Sequence, residues 1–219
     1  MDSAERFSDT SCDPPVRGYL HRPEVASGDG VVLSHGAGGN AQSALLQAMA
    51  EAFAGSGFIV LRCDLPFRQL RHYGPPRSSE AARDRQGLKS AVGAIRKLAQ
   101  ARVFVGGQSY GGRQVSMLLA EEKLADGLLL LSYPLHPPGH PEKLRIEHLP
   151  KLHVPTLFVH GTRDPFGSIE EIESARKLIP AKSFLLRAEG AGHDLGFKGQ
   201  AKREDLPALV LAKFQELFN

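Results

Sequence analysis

The sequence predicts an α/β fold, a single domain over residues 1–219 in which a mostly parallel sheet carries helices on both faces. The chain has 219 residues, of which 42% are hydrophobic, and this is enough for one sizeable core. Its short apolar segments run continuously instead of alternating with polar residues, as strands buried on both faces of a sheet do. Amphipathic segments lie between them, and this alternation is typical of a parallel sheet.

Six short apolar segments are the predicted strands. They comprise residues 30–34, 58–63, 103–105, 127–132, 156–160 and 183–187. Several of these segments run into Gly, Asp or His. Because ligands of open α/β sheets bind beyond the carboxyl ends of the strands, we expect the functional residues at that edge.

Five segments have the apolar spacing of helices that pack on a sheet. They lie at 41–54, at 88–98, after the glycines of 106–112, after Ser168, and from about Glu204 onward. Ser168 and Glu171 form a predicted capping box for the fourth helix. Residues 65–79, rich in Arg and Pro, and residues 133–155, rich in Pro and His, fit neither period. Each follows a predicted strand and is therefore a candidate wall of a site, or else an ordered surface loop.

The charge balance and the cysteines argue against several classes of protein. Lys+Arg 27 against Asp+Glu 24 gives a net charge of +3, too small an excess to predict binding to nucleic acid or to a membrane surface. Cys12 and Cys63 lie far apart, so we expect neither a disulfide framework nor a structural zinc site, and the predicted location is the reducing cytoplasm. The polar N-terminal segment does not resemble a signal peptide, and apolar runs such as 128–131 are too short to span a membrane.

The central motif is Gly107-Gln108-Ser109-Tyr110-Gly111, a G-x-S-x-G pattern between a predicted strand and a predicted helix. This context predicts a nucleophile elbow, in which a sharp strand-to-helix turn exposes the serine. Gly107 and Gly111 are the small neighbours that so tight a turn requires. The first turn of the helix directs backbone N–H groups at the same point, which favours developing negative charge. The alternative is a glycine-rich turn that holds an ordinary serine.

Two further residues complete a predicted Ser-His-Asp triad. A serine hydroxyl is a poor nucleophile at neutral pH unless a histidine accepts its proton and a carboxylate orients that histidine. Asp164 and His193 each follow a late predicted strand, in the order Ser, acid, His that accompanies a nucleophile elbow. Two other acids compete with Asp164. Asp194 adjoins the histidine, and Asp64 ends an earlier strand.

The predicted oxyanion hole takes one N–H group from Tyr110 and a second from the glycine-rich loop, residues 35–40, which reads H-G-A-G-G-N. Ala37 is the predicted donor in this loop. Gly38 is the next candidate and also a candidate substrate contact, because glycine lets the backbone approach a ligand closely. A phosphate-binding turn is the alternative, but the loop lacks both the G-x-G-x-x-G spacing and the P-loop lysine.

Two clusters of side chains leave alternatives open. Arg68 and Arg71, with Arg77 beside Tyr73, are candidates for recognising an anionic substrate, or else they form a solvated surface. Four histidines of the stretch 133–155 suggest a metal, but no H-x-x-x-H helix or carboxylate triad accompanies them, so no metal site is predicted. These histidines are His136, His140, His148 and His153.

The sequence resembles the α/β-hydrolase superfamily over nearly its whole length. The motifs that carry this resemblance are H-G-A-G-G, G-Q-S-Y-G, H-G-T-R-D-P and G-A-G-H, in the family's order. Residues 61–68, 106–113 and 133–139 are also similar to small bacterial dienelactone-hydrolase-like proteins, which are related to a subunit of the non-specific-lethal chromatin complex and to testis-expressed homologues. The resemblance implies an α/β-hydrolase fold over 1–219 with little or no lid. True dienelactone hydrolases use a cysteine nucleophile, where this chain has Ser109.

These motifs together predict a serine hydrolase that cleaves a small ester or thioester through an acyl-enzyme. Ser109 is the expected nucleophile, His193 the expected base, and Asp164 the residue that orients the base. The expected partner is a small-molecule ester, with no nucleic acid, membrane, metal or organic cofactor required. The alternative is an interaction protein on the same scaffold with a little-used triad, since some relatives act as scaffolds.

Overall fold

The computed structural model describes residues 4–198 and 203–218, and this part of the chain contains eight strands in one sheet. The strands are β1 (Glu5–Asp9), β2 (Val16–His21), β3 (Gly30–Ser34), β4 (Ile59–Cys63), β5 (Val103–Gln108), β6 (Gly127–Leu131), β7 (Thr156–Gly161) and β8 (Ser183–Ala188). All six strands expected from the sequence are present, with ends that differ by up to three residues.

The sheet is mostly parallel, as the sequence predicts. Its order is β1-β2-β4-β3-β5-β6-β7-β8, in which β3 to β8 run parallel and β1 and β2 pair antiparallel at one edge. Strands β1 and β2 are not predicted from the sequence. Strand β1 lies at the sheet edge and is mostly exposed, and β2 mixes buried with partly exposed residues, so neither carries a continuous apolar signal.

The described helices are α1 (Ala44–Gly55), α2 (Pro66–Leu70), α3 (Ala81–Arg96), α4 (Tyr110–Glu121), α5 (Ile169–Arg176) and α6 (Leu206–Phe218). The five expected helices all form, and the capping box of α5 is present, with the Glu171 N–H group donating to Ser168 Oγ at 3.2 Å. Helix α3 begins seven residues before the expected position, because its first turns are polar. The short helix α2 was not expected.

The helices cover both faces of the sheet, so two cores form. Buried residues of α3, α4 and α5 pack on one face, and those of α1 and α6 pack on the other. Strand β3 contributes side chains to both cores. Val32 belongs to the first core, while Val31 and Leu33 belong to the second. A strand that is apolar on both faces reads as a continuous apolar run.

The two long connections at the carboxyl edge, where β3 to β8 end, contain little regular structure. They contain helix α2 and two single 3-10 turns, Ser78–Glu80 and Leu149–Lys151. The expectation of little or no lid is thereby confirmed for the described residues. No helix within 4–198 and 203–218 is long and apolar enough to cross a bilayer.

An aromatic cluster anchors α6 to the second core. The ring of Phe214 is 1% exposed and lies 4.9 Å from the rings of Phe53 and Phe104, 6.0 Å from Phe58 and 4.4 Å from Phe218. Edge-to-face pairs of this kind add to the stabilisation from buried area.

Phe214→Ala is expected to lower the free energy of unfolding by about 3–5 kcal/mol, because it leaves a cavity among four other rings. Urea denaturation followed by circular dichroism measures this change. The matched control is Leu209→Ala in the same helix, where the side chain is 48% exposed and a change below about 0.5 kcal/mol is expected. Equal losses in the two variants would contradict this account of the core.

Candidate active site

Ser109 lies on a sharp turn between β5 and α4. Its φ of 50° and ψ of −115° place it in a region that side chains other than glycine rarely adopt. Strand β5 ends at Gln108 and α4 begins at Tyr110, so the serine is the single residue that reverses the chain. Backbone strain of this kind concentrates at functional sites, where the surrounding structure holds it in place.

Close packing around the turn explains the two glycines of the motif. A Cβ atom at Gly107 would lie 2.6 Å from the Gly112 nitrogen, and one at Gly111 would lie 2.5 Å from the His35 carbonyl oxygen. Both positions also face Ser34 Oγ within 2.6 Å. No other residue fits at either position, because these neighbours are mostly backbone and cannot move aside.

The three predicted triad side chains come together at the carboxyl edge. His193 Nε2 lies 2.7 Å from Ser109 Oγ, and His193 Nδ1 lies 2.8 Å from Asp164 Oδ2. The Asp164 side chain is fully buried, and its Oδ1 accepts a hydrogen bond of 2.9 Å from the Phe166 N–H group. These distances are those of a nucleophile, a base and the group that orients the base.

The loops that carry the acid and the histidine pack tightly against each other. A Cβ atom at Gly161 would lie 2.5 Å from the Gly192 carbonyl oxygen, so a glycine at this position lets the histidine loop approach. The Phe166 ring stacks on the imidazole of His193 with a centroid distance of 4.1 Å. The sequence analysis did not identify Phe166, because a single aromatic residue after a turn carries no distinguishing signal.

A second histidine lies behind the acid. His160 is fully buried, its Nε2 donates to the Gly167 carbonyl at 2.8 Å, and the same atom lies 3.6 Å from Asp164 Oδ2. Burial lowers the pKa of His160 below its usual range. The imidazole is therefore neutral, and its Nε2–H group is directed at the Gly167 carbonyl, close to the Asp164 carboxylate.

The two competing acids stabilise turns instead. Asp64 accepts a hydrogen bond of 2.7 Å from the Ala41 N–H group. Asp194 accepts hydrogen bonds from the N–H groups of Gly196 and Lys198, at 3.1 and 2.8 Å. The imidazole of His193 contacts Asp164, and neither of the other two carboxylates takes that position.

The glycine-rich loop lies against the nucleophile. A Cβ atom at Gly36 would come within 3.4 Å of Ser109 Cβ. Tyr110 is the first residue of α4, and the N–H groups of a first helical turn have no partner inside the helix. The loop that contains Ala37 and the first residue of α4 thus flank the serine, as an oxyanion hole requires.

A buried histidine braces this loop from within. His35 Nδ1 donates to the Gly36 carbonyl at 2.8 Å, and His35 Nε2 accepts from the Leu65 N–H group at 3.1 Å. This hydrogen-bond pattern requires a neutral ring with its one proton on Nδ1. Burial lowers the pKa of His35, which favours that neutral form. His35 therefore connects the glycine-rich loop to the segment that follows β4.

The contacts of Arg68 differ from the substrate-binding role that the sequence predicted. The side chain is buried, and its guanidinium donates to five backbone carbonyls within two loops. The carbonyls of Ala37 and Gly39 accept at 2.9 and 2.8 Å, and those of His72 and Gly74 accept at 2.6 and 3.1 Å. Arg68 thus joins the glycine-rich loop to residues 71–74, and its donors are not directed at a substrate anion.

Arg71 is also engaged by the protein. Its guanidinium forms a two-point ion pair with Glu80, and Nη2 donates to the Pro75 carbonyl at 2.7 Å. Hydrogen bonds from Arg71, followed by one from the Arg77 N–H group, lower the pKa of Glu80 to about 2. The Arg77 side chain is exposed. The expectation that these arginines recognise a substrate therefore has no support from their contacts.

A small cavity adjoins the glycine-rich loop. It has a volume of about 300 Å³ and is lined by Ala37, Gly38, Arg68, His72, Tyr73, Gly74 and Pro75. Gly38 lines this cavity, and its contact with a substrate stays a prediction. Most of the other lining residues belong to the stretch 65–79, which was predicted to form a wall of the site.

The four histidines of the stretch 133–155 lie apart. His136 faces Glu171, His140 faces Glu142, His148 Nε2 lies 2.8 Å from Ser116 Oγ, and His153 is exposed. Among the residues that the structure describes, no group of three or more His, Cys, Asp or Glu side chains could hold a metal ion.

Comparisons with known proteins agree with the fold. Residues 28–212 match a family model described as an alpha/beta hydrolase domain. An alpha-beta serine hydrolase homologue from Coxiella burnetii superimposes with a TM-score of 0.76 at 16% identity, over 95% of this chain and 96% of that chain. A dienelactone hydrolase from Anabaena variabilis gives 0.73 at 20% identity, over 99% and 100%. A serine hydrolase without lid from Xanthomonas campestris gives 0.77 at 15% identity, over 100% and 96%. At these identities the likeness to the solved structures concerns the fold.

Arg68→Met is expected to lower the free energy of unfolding by at least about 2 kcal/mol, because it leaves buried carbonyl groups without donors. Urea denaturation measures the loss, and hydrogen exchange at residues 37–39 and 71–74 should become faster. Arg77→Met removes the same charge from an exposed position and should change stability by less than about 0.5 kcal/mol. Unchanged exchange in the Arg68 variant would show that this side chain does not brace the loops.

Acid destabilisation should depend in part on His148. Burial, followed by the positive charge of Arg113, lowers the pKa of His148 from 6.5 to about 4. The folded state therefore prefers the neutral ring, and its contribution to stability is present above pH 6.5 and is lost as the pH falls toward 4.

The measurement is the urea midpoint between pH 7 and pH 4. His148→Gln should make its decline shallower, whereas exposed His153→Gln should leave the slope of the wild type unchanged. The same slope in all three proteins would contradict a neutral His148 in the folded state.

Proposed function

The chain belongs to the alpha/beta hydrolase domain family, and on that premise we propose that it is a serine hydrolase that cleaves a small ester or thioester through an acyl-enzyme. The observation that carries this proposal is the unbroken chain of contacts from Ser109 Oγ to His193 at 2.7 Å and from His193 to Asp164 at 2.8 Å. A serine held on a strained turn with a base and an acid in this order is the arrangement of a nucleophile.

In the proposed first step Ser109 Oγ attacks the carbonyl carbon of the substrate, and its proton moves to His193 Nε2. The imidazolium that forms is stabilised by Asp164, whose fully buried carboxylate faces Nδ1. The tetrahedral oxyanion then lies between the N–H groups of Ala37 and Tyr110. The N-terminus of α4 adds a favourable dipole at that point.

Collapse of this intermediate releases the alcohol or thiol, which takes the proton back from His193 Nε2. Water then attacks the acyl-enzyme, with His193 accepting its proton and returning it to Ser109. The scheme uses only side chains and backbone groups of this chain, so we propose no cofactor. The side chain of His193 is 25% exposed, so water reaches the base directly.

The substrate in this proposal is a small molecule. The cavity of about 300 Å³ beside Ala37 and Gly38 accommodates a small acyl or alcohol group better than a long lipid chain. Nucleic acid and membrane are not partners in the proposal. Both cysteines are free, Cys63 being buried, and this agrees with the reducing cytoplasm that we propose as the location.

A second candidate function is an interaction protein on the same scaffold. The observation that favours it is the exposure of two large side chains in the stretch 65–79, Leu70 at 73% and Tyr73, which lines the cavity, at 87%. The resemblance to dienelactone-hydrolase-like proteins, and to the subunit of the non-specific-lethal complex, supports this candidate as a proposal. In that case the triad would be intact but little used.

Ser109→Ala is expected to abolish labelling by a fluorophosphonate probe and to reduce hydrolysis of p-nitrophenyl acetate by about 10⁴- to 10⁶-fold. The physical reason is that the other triad residues have no function without the nucleophile. Gel fluorescence and initial rates measure the two effects, and the thermal midpoint should change little. Ser90→Ala on α3 is the matched control and should keep both properties.

Acid variants distinguish the competing carboxylates in the same assays. Asp164→Asn should reduce the rate by about 10⁴-fold, since the wrong imidazole tautomer then faces the serine. Asp194→Asn should retain far more activity, because that carboxylate caps a turn. Wild-type protein that binds no probe and cleaves no ester would refute the enzyme and favour the interaction protein.

A further inference from the structure

Arg113 lies one turn beyond the nucleophile, on the first turn of α4. Its N–H group donates to the Ser109 carbonyl at 2.9 Å. Side chains of an α-helix tilt back toward the N-terminus, and Ser109 lies on that side of Arg113. Four residues of helix rise by about 6 Å, a distance that an arginine side chain can span.

The described residues offer this guanidinium no hydrogen-bond acceptor. Within residues 4–198 and 203–218, the Arg113 side chain forms no hydrogen bond and no ion pair, and its Nε atom is buried without an acceptor. An arginine carries five N–H donors, and a buried donor without an acceptor destabilises the fold. The other arginines at this edge differ, since Arg68 and Arg71 direct their donors at carbonyls or at a carboxylate.

A second arginine, Arg145, interacts electrostatically with Arg113, and protein hydrogen bonds hold both its side chain and its backbone. Arg145 Nη1 donates to the Pro134 carbonyl at 3.0 Å, and the Tyr133 hydroxyl donates to the Arg145 carbonyl at 2.6 Å. The turn of α4 that carries Arg113 contacts the same stretch through His148, whose Nε2 lies 2.8 Å from Ser116 Oγ. Burial, followed by the positive charge of Arg113, lowers the pKa of Arg145.

No ion pair within the described residues balances the positive charge of Arg113 and Arg145. Glu147 is the neighbouring carboxylate, but it is exposed and forms no ion pair with Arg113 or Arg145 in the described part of the chain. Two guanidinium groups that share a partly buried position repel each other unless an anion lies between them. Their planar forks match the paired oxygens of a carboxylate or a phosphate.

We propose that Arg113 and Arg145 bind an anionic group of the substrate, a carboxylate or a phosphate, beside the acyl carbon that Ser109 attacks. This inference rests on the proposed function and names its substrate class, esters with an acidic group a few bonds from the carbonyl. The sequence analysis expected such a preference from Arg68, Arg71 and Arg77. The structure assigns it to a different pair.

Direct binding tests the site without any turnover. In Ser109→Ala protein, ethyl hemisuccinate and inorganic phosphate are titrated separately, with ethyl methyl succinate as the neutral analogue, by calorimetry. We expect one anion to bind, and Arg113→Gln in the same background to weaken that binding by about 10- to 100-fold. Tighter binding of phosphate supports a phosphorylated substrate, and tighter binding of the hemisuccinate supports a carboxylate. Binding of neither anion, or binding that Arg113→Gln leaves unchanged, overturns the proposal.

Kinetics test the role in specificity. Wild-type protein should hydrolyse the anionic ester with a higher kcat/KM than the neutral one, and Arg113→Gln should reduce this ratio by about 10- to 100-fold while the neutral rate persists. Arg113→Lys should be intermediate, because it keeps the charge without the fork. The control is Arg96→Gln. It removes a guanidinium that donates to the Leu124 carbonyl, beyond the C-terminal end of α4.

The two proposals fail in different ways. Probe labelling and neutral-ester hydrolysis without any preference for the anionic ester would overturn the anion site and leave the serine hydrolase intact. Absence of labelling, with anion binding that depends on Arg113, would refute the hydrolase and retain an anion site on another kind of protein. Because no described residue accepts a hydrogen bond from the Arg113 side chain, Arg113→Gln should fold with an unchanged or higher thermal midpoint, and this measurement identifies a variant that has failed to fold.

Discussion

The turn at Ser109 is the constraint on which the rest of the site depends. A residue with φ of 50° between a strand and a helix is strained, and it persists because Gly107 and Gly111 let the neighbouring backbones close around it. The same closeness places the glycine-rich loop against the serine, beside the first residue of α4. The strained turn thus fixes where the proposed nucleophile and the proposed oxyanion hole lie.

The arginines at the carboxyl edge show how environment decides the role of identical side chains. Arg68 is enclosed by carbonyls of two loops and stabilises their backbone, while Arg71 forms an ion pair with Glu80. Arg113 has the same five donors, but its Nε is buried without an acceptor, and its side chain forms no hydrogen bond with the described residues. A guanidinium is equally charged in all three places, so its function follows from which acceptors surround it and how much water reaches it.

The sequence predicts an element correctly where its residue pattern reflects the burial or the local hydrogen bonds of that element. The run Gly30–Ser34 is continuous because both faces of β3 are buried, and the Ser168–Glu171 capping box specifies the start of α5 by a local hydrogen bond. It failed for β1 and for the first turns of α3. Edge strand β1 is mostly exposed, and the early α3 turns are polar, so neither has the apolar period that a sequence displays.

The sequence by itself determined the candidate nucleophile, base and acid, because Ser109, His193 and Asp164 each follow a strand in an order with few alternatives. Only the tertiary structure decided that Asp164, and not Asp64 or Asp194, faces the imidazole, since a carboxylate in any turn has the same local sequence signal. It also decided which arginine side chains have hydrogen-bond acceptors among the described residues. Hydrogen-bond partners of a long side chain come from residues distant along the chain, and local spacing carries no information about them.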